Sequence, residues 1–216
     1  MFRSRAVLAS LLLAAAALST GVPATAAPAD FAVQGIGRQV TVRSNLVQAD
    51  LKPIPGTAAP NTGVARPGDN LAAICFTNDS RGLPWVLVLN RNGIPGRQYA
   101  NTVGFISHGD LASTNPFVGC ATETTVSPAN HFAWLRGDLV QADMKPIAGT
   151  DVPNTGLFKQ GDKVAVYCHL ADNRGFPWKL AVNLYGHAGQ QYANTVGFIP
   201  LDATSTSGTE PDCGAS

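Results

Sequence analysis

Short runs of alternating apolar and polar residues, separated by glycine, proline and asparagine, occupy the chain from about residue 38 onward. In one of them Trp178, Leu180 and Val182 alternate with Lys179 and Ala181. A period of two bounded by turn residues predicts β-strands. The pattern recurs at 40–43 and 133–136, at 71–75 and 163–168, at 85–89 and 178–182, and at 99–106 and 192–199. In the second pair, Val164, Val166 and Cys168 are expected on one face. Pro67-Gly68-Asp69, Gln160-Gly161-Asp162 and the NRNG stretch at 90–93 supply turns. The chain reads as all-β.

The runs come in pairs because the chain repeats itself. Shifted by 93 positions, TVRSNLVQADLKPIPGT lies on WLRGDLVQADMKPIAGT, and QYANTVGFI at 98–106 lies on its identical copy at 191–199. No gap is needed out to the second cysteine of each copy. Two copies make a tandem duplication and not a solenoid. The modules are placed at 35–120 and 128–213. About five short strands in each suggest a small barrel, an arrangement that removes exposed sheet edges.

The N-terminal stretch differs in kind. Arg3 and Arg5 precede an apolar run at 6–17, and Ala24-Thr25-Ala26 has the small residues of a cleavage site. Residues 1–26 are therefore expected to be a secretory signal peptide cut before Ala27. The apolar run is short of the roughly 20 residues that a spanning helix needs. Without Arg3 and Arg5 the formal charge of +1, from 15 basic and 14 acidic residues, becomes −1. No basic block remains, so nucleic acid and anionic membrane surfaces are poor partner candidates, and no membrane insertion of the mature chain is expected. An exported chain with four cysteines is expected to form disulfides. Cys75 to Cys120 and Cys168 to Cys213 are both separations of 45, which predicts those two pairings.

Each copy resembles a bacterial SH3-like (SH3b) domain of the actinobacterial exported type. The resemblance rests on Thr41-Val42-Arg43-Ser44, more weakly on Leu135-Arg136-Gly137, and on the turn and strand GDKVAVYC. It continues in the Trp-led strands GLPW and GFPW and the closing strands Gly104-Phe105-Ile106 and Gly197-Phe198-Ile199. The chain departs from the family in its long loop before the closing strand, and in having Phe where the family often has Trp. The resemblance implies two tandem SH3-like β-barrels and a secreted, non-catalytic binding function. The implied ligand is cell-wall peptidoglycan, through its peptide or glycan, or another envelope component. An extracellular protein–protein module, such as an inhibitor or adhesin, is the alternative.

The residues themselves point to binding more than to catalysis. The disulfides would consume every thiol, and none of His108, His131, His169 and His187 recurs in the other copy. No metal-ligand, cofactor or nucleophile motif is present, so no enzyme, metal or cofactor is expected. The residues that do recur are Asp50 with Asp143, Asn61 with Asn154, Tyr99 with Tyr192, and Asn101 with Asn194. They fit a shallow groove where Tyr stacks and the polar groups hydrogen-bond. They fit better still the turns that Asn and Asp stabilise through the backbone, and recent duplicates also share residues without a role. Trp85 and Trp178 are expected in the core. Phe132 and Trp134 replace Gln39 and Thr41 on the outward face of one strand, and are expected to pack between the modules.

Overall fold

Each alternating run overlaps a paired strand in the structure, a computed structural model. It describes residues 37–56, 58–91, 101–113, 116–149, 153–185, 194–205 and 209–214. The first copy holds β1 (Arg38–Val40), β2 (Ala49–Leu51), β3 (Gly63–Ala65), β4 (Leu71–Asn78), β5 (Pro84–Asn90) and β6 (Thr102–Ser107). The second holds β7 (His131–Trp134), β8 (Gln141–Met144), β9 (Gly156–Lys159), β10 (Lys163–Ala171), β11 (Pro177–Asn183) and β12 (Thr195–Pro200). A 3-10 turn follows each closing strand, at His108–Asp110 and Leu201–Ala203. The short strands β2 and β3, and their equivalents β8 and β9, carry too few residues for a period to show in sequence.

In each copy four strands form an antiparallel sheet, in the orders β1-β4-β5-β6 and β12-β11-β10-β7, while β2–β3 and β8–β9 form separate ribbons. The sheets do not close into the expected barrels. Each ribbon reaches its sheet through one bridge, Lys52 to Phe105 and Lys145 to Phe198. The next hydrogen-bonded pair of each ladder would need the Val103 or Val196 N–H, and the other copy takes that donor.

Both faces of each sheet are buried, which explains the continuous apolar run of β5. Val86 and Val88 face an outer core with Val40, Leu51, Leu71 and Ile106. Trp85, Leu87 and Leu89 face the other way, into a core shared with Trp178, Leu180 and Val182 of the second copy. A bulge divides the long strand: the pairing shifts between Ala73 and Cys75, and between Val166 and Cys168. Val164 and Val166 consequently lie in the second copy's outer core, while Cys168 joins the shared one, against the expectation of a common face.

The copies clasp each other reciprocally. The Val103 N–H donates to the Pro146 carbonyl, and the Val196 N–H donates to that of Pro53, both at 2.8 Å. A shift of 93 exchanges the two bonds, as a two-fold relation between the copies requires. The repeated Lys-Pro pair therefore binds its own closing strand through Lys and the other copy's through Pro.

The disulfides join Cys75 to Cys120 and Cys168 to Cys213. Each staples a strap that runs parallel to the end of the long strand, bridging Phe76 to Gly119 and His169 to Asp212. Tyr167 breaks the symmetry. Its equivalent is Ile74, and its hydroxyl lies 3.6 Å from Cys75 Sγ and accepts from the Ala121 N–H at 3.3 Å. Burial pushes the phenol up to about 12. Among the described residues no helix is long and apolar enough to cross a membrane. The segment read as a signal peptide lies outside the described residues.

Candidate functional site

The turn between the two central strands of each sheet is built on one aspartate. Asp79 accepts from the backbone N–H groups of Arg81 and Leu83, from the Arg81 guanidinium at 2.9 Å and from the Trp85 indole at 3.3 Å. Asp172 does the same with Arg174, Phe176 and Trp178. Burial alone would raise the Asp79 carboxyl, but these donors together hold it down at about 2. The motif Asp-x-Arg-Gly-x-Pro-Trp was visible as a repeat, and its Asp–Trp spacing of six was the signal for this cap. Trp85 and Trp178 are 6% and 4% exposed in the shared core, so they are no stacking platform.

The rigid turn leaves its apolar tip in solvent: Leu83 is 50% exposed and the equivalent Phe176 59%. Beside each tip, against the 3-10 turn, lies a groove. The first copy's groove, about 530 Å³, is lined by Gln48, Asp50, Lys52, Arg81, Leu83 and Asp110 among others. The second copy's groove, about 400 Å³, has Arg174, Phe176, Pro177, Pro200, Leu201 and Asp202. The position is duplicated but the chemistry has diverged. Asp110 corresponds to Ala203, and Ser107 to Pro200. Burial pushes the Asp110 carboxyl up, Arg43 opposes this and Asp50 adds to it.

A third concavity, about 340 Å³, lies between the copies, with Pro53, Ile54, Pro60 and Asn61 from one and Asn154 and Thr155 from the other. Lys52 and Lys145 stand behind it, 9% and 8% exposed. Lys52 Nζ donates to the Ala59 carbonyl at 2.8 Å, and Lys145 Nζ donates to Asn154 Oδ1. Each ammonium also lies near its own copy's aspartate, Asp50 at 3.9 Å and Asp143 at 3.6 Å.

The residues singled out in sequence therefore divide among separate places. Asp50 belongs to the first groove, and Asp143 holds the equivalent position. Asn61 and Asn154 meet in the cleft between copies. Asn101 and Asn194 have φ of 56° and 57°, the left-handed conformation that Asn tolerates, immediately before β6 and β12. Tyr99 and Tyr192 lie outside the described residues. Phe132 is half-buried against the shared core, under Lys163 Nζ at 3.7 Å from its ring centroid. Trp134, at the end of β7, is 46% exposed.

Sequence reasoning missed a polar cluster unique to the second copy. Lys179, 1% exposed, donates to Thr204 Oγ1 at 2.8 Å and lies 2.7 Å from Glu210 Oε1. His131 Nε2 is 3.3 Å from the same oxygen. Burial lowers the His131 pKa, Glu210 opposes this and Lys179 reinforces it. Burial would raise the Glu210 carboxyl, but Lys179 and then His131 bring it below its ordinary value. The sequence matches no protein-family model and no curated protein.

Proposed function

We propose that the protein is an exported, non-catalytic binding protein of two SH3-like modules that recognises cell-wall peptidoglycan or another envelope ligand. The observation that carries this reading is the pair of open grooves at equivalent positions. Each lies beside an exposed apolar tip that an Asp–Arg–Trp cap holds rigid. A preorganised tip costs little ordering on binding, which is how a small surface retains affinity. Two such grooves on one body allow a polymer to be held at both, so that two weak contacts reinforce each other. The ligand class comes from the family resemblance. One feature favours the alternative of an inhibitor or adhesin: the second groove is largely apolar, with Phe176 exposed and Leu201 36% exposed beside it.

The test is retention on purified sacculi at physiological salt. The chain is expected to sediment with them. Leu83→Ser combined with Phe176→Ser is expected to release it without unfolding, since both side chains are solvent-exposed. Tyr99→Ala with Tyr192→Ala extends the test to the loop candidates. A wild-type protein that stays in the supernatant ends the wall reading and leaves the protein-partner reading.

A further inference from the structure

We infer that the cleft between the two copies is one composite binding site for an acetamido sugar of an uncharged glycan, read by Asn61 of one copy and Asn154 of the other. The volume of about 340 Å³ lies within the range of small-ligand sites. Neither copy forms the site alone. Pro53, on its wall, is held by the Val196 N–H of the other copy, so the clasp that joins the copies also shapes the cleft.

The chemistry of the lining selects the ligand. None of its described residues is charged. The ammonium groups behind it are already engaged, by Ala59 O and by Asn154 Oδ1. Among the described residues, a ligand carboxylate or ammonium would therefore be desolvated there without an unengaged ion to face. The Lys145 bond also fixes the orientation of an amide, because an ammonium can only donate. With its oxygen held, Asn154 offers its Nδ2 donors, which have no partner among the described residues. At the equivalent position Lys52 turns to Ala59, so the Asn61 amide makes no hydrogen bond among the described residues and offers both donor and acceptor. Ile54, Ala58 and Pro60 supply an apolar wall. An acetamido group matches this set: its carbonyl accepts from Asn154, its N–H donates to Asn61, and its methyl lies on the apolar wall. The inference rests on the wall-binding reading for the source of the sugar.

The experiment titrates the whole exported chain, isotope-labelled, with N-acetylglucosamine tetramer, with cellotetraose and with a neutral peptide amide, following the side-chain amide resonances of Asn61 and Asn154. Shifts at both with the acetylated tetramer alone are expected. Asn154→Asp is the decisive variant, because it preserves a partner for Lys145 and removes only the donor. It is expected to keep the wild-type Tm or exceed it while binding the tetramer about tenfold or more weakly, and Asn61→Ala to weaken binding similarly. Equal response to cellotetraose, a preference for the peptide, or wild-type affinity in Asn154→Asp overturns the inference. Retention on sacculi without tetramer binding overturns it and leaves the wall reading standing. Tetramer bound in the cleft by a chain that sacculi do not retain supports it and ends the wall reading.

Discussion

Asp79 shows why a repeated polar residue need not be a ligand contact. Its carboxylate replaces water with two backbone N–H groups, a guanidinium and an indole N–H, and thereby fixes where the sheet turns. Asn101 and Asn194 recur for a backbone reason as well, since their positive φ is costly for most side chains. Repetition alone could not separate these residues from Asn61 and Asn154, because a letter carries neither φ nor hydrogen-bond partners. The Asp79 cap has a pH signature. Its folded pKa, about 2, lies below the ordinary 3.8. The stability it contributes is complete above 3.8 and is lost as pH falls towards 2. Melting temperatures measured from pH 5 to pH 2 should fall steeply for the wild type. They should fall less steeply for Asp79→Asn, with the residual slope belonging to Asp138, Asp172 and Glu210, whose carboxyls are also lowered. Parallel slopes for the two proteins would show that the cap does not titrate as described.

Strands β5 and β11 are equivalent, yet their outward faces differ in chemistry. Val86, Leu111 and Phe117 meet in the first copy, and their counterparts in the second are Lys179, Thr204 and Glu210. The alternation around Trp178 made Lys179 look like the wet face of a one-sided strand. The sheet is buried on both faces, so that face is covered by the C-terminal strap, and the lysine is paired there instead of solvated. Only the fold reveals the partner, 31 residues away in sequence. Removing one member weakens the rest: Lys179→Val should cost up to roughly 3–5 kcal/mol by leaving Glu210 buried with only His131 beside it. Transplanting the three apolar first-copy residues, Lys179→Val with Thr204→Leu and Glu210→Phe, removes both buried charges together and should restore wild-type stability or exceed it. Urea unfolding of both variants decides the matter, and a single variant as stable as the wild type would remove the cluster from the account.

The duplication, the strand runs and the disulfide pairing were legible in sequence because each is written in spacing. That the two copies share one core was not. Trp85, Leu87 and Leu89 alternate as the inner face of any small barrel would, and nothing in a period of two says which layer an apolar face meets. The open ladders and the shared core belong together. A sheet that does not close on itself keeps a second apolar face, and the other copy covers it. The Lys-Pro straps then cross from one closing strand to the other, turning two similar modules into one body. An isolated first copy, residues 37–121, would present Trp85, Leu87, Leu89 and Phe105 to water and leave the Val103 N–H without its acceptor. Such a face is expected to be buried against a second copy through the same reciprocal clasp, since the sequences that form it are nearly identical. Light scattering of the purified fragment should therefore give a dimer or larger species, and adding the other half, 122–214, should draw it into a one-to-one complex. A fragment that is monomeric, folded and indifferent to its other half would mean that each module closes its own core, and the shared core would not be what holds the copies together.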